Sequence, residues 1–253
     1  MKIIDLKDKF PDKNKNLGFC IGAGPSLAYQ DVKPLRDYIT IAANSGILKD
    51  PKHFTGYLSD DWSVKDWQYH YDIAKHHQLY KFLYRSKLEK YSSHFKPEEI
   101  IFFEHKCWYN PKTKEYPEDG LDITEDEPII GARSSLGSCV HTLYILGIRN
   151  IVLLGADCAY DKKTGKRYFW EITGPFAKRR ENKPISWHAY KKVNGYSTDH
   201  HGVETLEYWR QLAEVIKTRG PKDINIIDCS DGLLNCFPKM TLEKVLEEYG
   251  DKK

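Results

Sequence analysis

Asn16-Leu17-Gly18-Phe19-Cys20-Ile21-Gly22-Ala23-Gly24-Pro25-Ser26-Leu27 is an apolar run that breaks into a Gly-x-Gly-Pro-Ser turn before a polar, helix-compatible stretch. Such a run reads as a strand buried on both faces, and the glycines let backbone N–H groups come close to a ligand. Ser26 or a neighbour would open a short helix whose N-terminus faces the same place, which suits a phosphate or another anion. A tight strand-to-helix turn with no ligand explains the same residues. Pro25 and the lack of a third glycine speak against the usual dinucleotide fingerprint.

Outward from that turn, other apolar runs follow the same plan. Residues 39–43 read as a second buried strand closed by Asn44-Ser45-Gly46, and 54–58 as a third that ends at Ser59-Asp60-Asp61. Residues 78–84 and 100–103 read as two more, 151–154 as one running into Gly155-Ala156-Asp157, and 224–228 as the last. Helices are expected at 32–38, at 61–77 with an aromatic face of Trp62, Trp67 and Tyr71, and at 202–219. Another runs from Ser134 to Leu146 with Gly147 just past its end, and Thr241 caps a last one. Residues 1–16 read as a polar lead-in with a short edge strand at Ile3-Ile4, and 107–127 as an acidic surface loop.

Strands alternating with helices predict an α/β, Rossmann-like, doubly wound fold whose mostly parallel strands end along one ligand-binding edge. The 253 residues are expected to form a single domain, 1–253, with one lid insertion over about 159–200. The net charge is +3, yet residues 161–197 hold ten Lys/Arg against three Asp/Glu, a local +7 interleaved with Tyr168, Phe169, Trp170, Phe176, Trp187 and Tyr190. That segment has no clean period and reads as a mobile basic, aromatic lid over an anionic ligand. Six cysteines without a CxxC pair read as buried free thiols in a reducing compartment. No apolar run approaches the roughly 18 residues of a membrane span, so a cytoplasmic protein is expected.

Several residues could carry chemistry. Asp157, after a strand and a glycine, could hold a ribose hydroxyl or simply cap a turn. Arg133-Ser134-Ser135 sits before a helix, where hydroxyls and N–H groups meet phosphate or a base edge, or only cap the helix. His200-His201 precede a helix after the lid, and could act as general base, bind metal or be solvated; without a Cys or Asp at ligand spacing, metal is the weakest of the three. His188 is a less specific candidate, and Tyr160 and Tyr168 flank the start of the lid, where phenols could donate to a leaving phosphate. Neither a Gly-x-Ser-x-Gly elbow nor a Walker A loop occurs.

Taken in order, Gly22-Ala23-Gly24-Pro25-Ser26-Leu27, Asn44, Arg133-Ser134-Ser135 and the stretch from Leu146-Gly147 through Gly155-Ala156-Asp157-Cys158-Ala159-Tyr160 resemble the bacterial sialyltransferases of glycosyltransferase family 42. They are also similar to the related superfamily of motility-associated flagellin glycosylation proteins and archaeal 6-hydroxymethylpterin pyrophosphokinases. The resemblance spans most of the chain, and the closing Cys229-Ser230-Asp231-Gly232-Leu233-Leu234 turn shares in it. It implies that the loop Gly22, Ala23, Gly24, Pro25 and Ser26, with Asn44, contacts the donor near its phosphate. Ser134 and Ser135, beside Arg133, would hold the nucleoside together with Gly155 and Asp157. Tyr160 and Tyr168 would stabilise the leaving phosphate, and His201 or His200 would be the general base, with no catalytic metal. The sialyltransferases carry asparagine where this chain has Ala23, which removes a contact to the donor phosphate and leaves the donor open.

The expected function is therefore transfer of a sugar from a nucleotide-activated, CMP-sugar-like donor to an acceptor hydroxyl, independent of metal and cofactor. The acceptor would be anionic, a glycan or a nucleic acid, and the chain could form a homo-oligomer. One alternative is a pyrophosphokinase of a pterin-like alcohol, which needs ATP and Mg²⁺. Another is a nucleic-acid-binding or DNA-modifying protein that uses the basic aromatic lid as a stacking surface.

Overall fold

The computed structural model describes residues 1–60, 64–85, 93–106, 110, 113, 115–117, 119–130, 133–174 and 191–250, without the side chains of 64–69. Seven strands form one wholly parallel sheet: β1 (Asn14–Ile21), β2 (Tyr38–Ala43), β3 (Gly56–Ser59), β4 (Tyr80–Tyr84), β5 (Ile100–Phe103), β6 (Asn150–Leu154) and, from the end of the chain, β9 (Asn225–Asp228). Between β6 and β9 a hairpin of β7 (Lys191–Val193) and β8 (Tyr196–Thr198) pairs separately. The sheet order is β5-β4-β3-β2-β1-β6-β9. The chain winds outward from β1 to one edge, returns, and continues from β6 on the other side, so the switch point lies between β1 and β6.

Alternation along each strand feeds two cores, as period-2 geometry requires of a sheet covered on both faces. Leu17, Phe19 and Ile21 of β1 pack on one side with Val152 and Leu154 of β6; Cys20, Ile151 and Leu153 pack on the other. Helices α1 (Val64–Lys75), α3 (Phe169–Ile172) and α5 (Leu242–Tyr249) cover the first side through Tyr71, Phe169, Trp170, Leu242 and Val245. Helices α2 (Ser135–Ile145) and α4 (His200–Thr218) cover the second through Leu143, Leu206, Trp209 and Leu212.

Gly147 closes α2 as the spacing predicts. It has φ +90°, the Gly147 N–H donates to Tyr144 and the Ile148 N–H to Leu143, which satisfies two terminal carbonyls. Thr241 accepts from the Lys244 N–H at the start of α5. Three local expectations differ. Ile3-Ile4 is not an edge strand: Ile4–Leu6 form one 3-10 turn, because Ile3 and Leu6 at spacing i, i+3 both reach the core. The helix expected at 32–38 is only a 3-10 turn, Lys33–Asp37, with Pro34 at its start. The acidic 107–127 loop is not all surface: Leu121 and Ile123 are buried, and the His141 ring in α2 accepts from the Ile130 N–H at 2.9 Å while meeting Thr124 with its other nitrogen.

The lid also differs where it is described. Phe169 and Trp170 are core residues rather than a loose covering, and the Phe169 N–H donates to the Ala23 carbonyl at 3.1 Å, stitching α3 to the glycine turn. Lys178, Arg179, Arg180, Lys183, Trp187 and His188 lie outside the described residues, as do Trp62 and Cys107. The five described cysteines carry free thiols, with Cys20, Cys139 and Cys229 buried. Among the described residues no helix is long and apolar enough to cross a membrane.

Candidate functional site

The carboxyl ends of β1, β2, β3 and β6, the first turn of α2 and the first turn of α4 surround one cleft of about 550 Å³. Twelve residues singled out in the sequence line it: Gly22, Ala23, Gly24, Asn44, Arg133, Ser134, Ser135, Gly155, Asp157, Tyr160, Tyr168 and His201. Pro25, Ser26 and His200 do not. Stretches more than a hundred residues apart in sequence thus meet at the switch point, where parallel sheets leave room for a ligand.

The glycine turn is built differently from the expectation. Three of its N–H groups face the protein: Gly22 donates to Leu154 at 2.7 Å, Gly24 to Gly155 at 2.9 Å, and Ser26 to the Asp157 carboxylate at 3.3 Å. The glycines are needed because the β6 turn presses against them. A Cβ on Gly22 would lie 2.4 Å from the Gly155 carbonyl oxygen, and one on Gly24 would lie 2.0 Å from Asp157 Oδ2. Gly155, at φ +66°, makes the reciprocal approach. The helix after the turn is a five-residue 3-10 segment, Pro25–Tyr29.

Asp157 is 1 % exposed and accepts the Ser26 hydroxyl at 2.9 Å, so its carboxyl group clamps the turn. Burial pushes its pKa well above the ordinary carboxylate range, aided by Asp228 and opposed by Ser26. The closing turn braces it from behind: Ser230 Oγ accepts the Ala156 N–H, and Gly232 leaves no room for a Cβ beside the Asp157 carbonyl.

At the β2 and β3 ends, Asn44 adopts φ +46° and its Nδ2 donates to Ser135 Oγ at 2.8 Å. Ser135 donates in turn to Asp60, which also receives Ser138 Oγ at 3.4 Å. Ser134 holds the N-cap of α2, yet its hydroxyl makes no cap hydrogen bond. His70 and His105 border this end; burial lowers their pKa to about 3 and about 4, so both rings are neutral near pH 7. Among the described residues, Asn44 Oδ1 and Trp209 Nε1 border the cleft as buried polar atoms without a hydrogen-bond partner. Groups of that kind ordinarily pair with water or ligand.

The other wall is organised by Asp199, which the sequence reading passed over. It is 2 % exposed, caps α4 by accepting from the Gly202 N–H at 2.7 Å, and takes the Tyr160 hydroxyl and Arg167 Nη1, each at 2.9 Å. Its one sequence signal was an aspartate just ahead of a helix start, the usual N-cap signature. Arg133 Nη2 reaches Glu204 at 2.5 Å, and His200 Nε2 reaches the same carboxylate at 2.9 Å. His200 is 65 % exposed on the outside of that pair. His201 instead lines the cleft and is exposed to solvent there. Crowding by the cleft wall lowers its pKa first, then the charges of Arg167 and Arg133, with Asp199 and Glu204 opposing. Among the described residues no three His, Cys, Asp or Glu side chains are grouped to hold a metal ion.

No protein-family model and no curated protein sequence matches the chain. Its structure is similar to that of MAf glycosyltransferase from Magnetospirillum magneticum AMB-1, with a TM-score of 0.57 and 9 % identity over 94 % of this chain. This chain spans 38 % of the length of that protein. The monofunctional α-2,3-sialyltransferase Cst-I from Campylobacter jejuni aligns with a TM-score of 0.49 and 18 % identity, covering 90 % of this chain and 81 % of that one. At 9 % identity the first likeness is one of fold. The α/β fold expected from the sequence therefore has a counterpart in the fold of that protein.

Proposed function

We propose that this protein is a glycosyltransferase that binds a nucleotide-activated sugar in the switch-point cleft and passes the sugar to an acceptor hydroxyl. The observation that carries the reading is convergence: the Gly22–Gly24 turn, Ser134-Ser135, Gly155–Asp157 and His201 line one cleft, although the sequence scatters them over 180 residues. The fold shared with a glycosyltransferase supports it.

In this reading Ser134, whose hydroxyl leaves the α2 cap unpaired, and Asn44 offer polar contacts to the donor. The acceptor oxygen attacks the anomeric carbon, the bond from that carbon to the phosphate oxygen breaks with its electrons staying on the phosphate, and His201 takes the acceptor's proton. His201 suits this role better than His200 because it faces the cleft and its lowered pKa keeps it neutral near pH 7. The +7 segment at 161–197 makes an anionic acceptor the natural partner. Transfer without a bound metal is part of the proposal, and the comparison with and without Mg²⁺ below tests it.

A thermal-shift screen against CMP, UDP, GDP and ATP, each with and without Mg²⁺, tests the reading. Stabilisation by one cytidine, uridine or guanosine nucleotide without Mg²⁺ is expected. Stabilisation by ATP only with Mg²⁺ would point to the pyrophosphokinase chemistry instead, and no shift with any nucleotide would sink the proposal.

A further inference from the structure

We infer that Arg167, held in place by the buried carboxylate of Asp199, is the group that takes the charge of the donor's phosphate. The inference rests on the donor reading above and names the recognised group as a nucleoside phosphate.

Several of the cleft's other candidate donors already have partners. Three N–H groups of the glycine turn, at Gly22, Gly24 and Ser26, are bonded to the β6 turn. Ala23, between the glycines, has a methyl side chain with no polar atom. Tyr160 has a single hydroxyl proton, and that proton points at Asp199. Arg133 Nη2 meets Glu204 at 2.5 Å, a partly buried carboxylate that it shares with His200.

Arg167 is placed differently. Its side chain is 20 % exposed, it lines the cleft, and its guanidinium carbon sits 5.3 Å from the Tyr168 ring centroid. Two residues further on, Phe169 is bonded to the Ala23 carbonyl, which fixes the segment beside the glycine turn. Glu171 accepts the Arg167 and Tyr168 N–H groups at 3.0 and 2.9 Å, so the backbone that carries the guanidinium is also pinned. Asp199 Oδ2 occupies Nη1, and a guanidinium presents five N–H donors in a planar fork suited to phosphate oxygens. Asp199 anchors one corner of that fork while the same carboxylate caps α4, the helix that carries His201. Asp199 is thus a positioning residue for both sides of the reaction.

The experiment compares CMP with cytidine, UMP with uridine, GMP with guanosine and AMP with adenosine by calorimetry. It uses the wild type, Arg167→Lys, and the double variant Arg167→Met/Asp199→Asn, which removes both charges so that neither is left buried and unpaired. For the base that binds, the wild type should prefer the monophosphate over the nucleoside by at least about tenfold, as charge-assisted bonds to phosphate do. The double variant should bring that ratio close to one with nucleoside affinity little changed, and Arg167→Lys should fall between, because it keeps the charge and loses the fork. An unchanged ratio in the double variant overturns the inference; should that variant not fold, an unchanged ratio in Arg167→Lys does so. Equal wild-type affinity for nucleotide and nucleoside overturns it too, while leaving the donor reading intact. Failure of every nucleoside and monophosphate to bind the wild type overturns both.

Discussion

Replacing Gly24 with alanine separates two reasons for a glycine in the β1 turn. Gly24 has φ −61° and ψ 157°, a conformation open to any residue, so alanine strains no dihedral. The cost is space: the new methyl would sit 2.0 Å from Asp157 Oδ2 and 2.6 Å from the Gly155 carbonyl oxygen. Rotating the carboxylate relieves the first contact, but the second is backbone, and the two turns must part. Overpacking of this kind costs about 1–3 kcal/mol. Parting also breaks the Gly24–Gly155 bond and the Ser26–Asp157 bond, each worth about 0.5–1.5 kcal/mol. A loss near 4 kcal/mol is therefore expected, which for a domain of this size lowers Tm by roughly 8–16 °C. A melt followed by circular dichroism reads it directly, and nucleotide binding measured well below the melt supplies the contrast. If Gly24→Ala melts within about 2 °C of the wild type yet no longer binds nucleotide, the glycine serves ligand approach and the packing argument is wrong.

Gly147→Ala tests the opposite kind of glycine: its cost comes from φ +90° rather than from crowding, and about 1 kcal/mol is expected, seen as a Tm drop of roughly 2–4 °C. His201→Ala should lower kcat by about 10²–10⁴ with donor affinity nearly unchanged, whereas His200→Ala, outside the cleft and 65 % exposed, should leave kcat within a few-fold; equal losses would place the base elsewhere. The acidic limb of the kcat profile should fall below pH 6.5, because the base must shed its proton first and its pKa is lowered. Stability should also fall in acid. His70 and His141 at about 3 and His105 at about 4 bind fewer protons folded than unfolded, so their contribution is complete above the unfolded value of 6.5 and shrinks as pH drops toward the folded values. By pH 5.5 each has lost on the order of 1 kcal/mol, and urea midpoints that stay level from pH 7 to 5.5 would contradict this.

What the sequence made legible, and what it did not, follows from how far each signal reaches along the chain. The strands were readable because a sheet covered on both faces needs unbroken apolar runs, and Ile151-Val152-Leu153-Leu154 could hardly be anything else. The cleft followed from them, since parallel strands deliver their last residues to one edge: Gly22, Asn44 and Asp157 meet for that reason. Which partner each residue chooses on arrival was hidden. Asp157 finds Ser26 from 131 positions away, and Asp199 finds Tyr160 from 39. The glycine turn was the sharpest case. Glycine spacing says that something comes close, and the motif suggested a phosphate, but the neighbour that comes close in the structure is the carbonyl oxygen of Gly155.

The same logic explains why Asp199 and Arg167 escaped notice while His200-His201 and the two tyrosines did not. An aspartate before a helix looks like a cap, and it is one; its Oδ1 takes the Gly202 N–H. Only the second oxygen does something a cap does not, receiving a phenol and a guanidinium at once. Arg167 was one of ten basic residues in a run whose net charge read as a diffuse field. Burial is what distinguishes it, because Lys162, Lys163 and Lys166 are exposed while Arg167 is folded into the wall beside Phe169. A charge four-fifths buried beside a carboxylate is costly unless both are held by further bonds. The Tyr160 hydroxyl and the Gly202 N–H supply such bonds to Asp199, so the arginine can stay charged inside the cleft rather than at its rim.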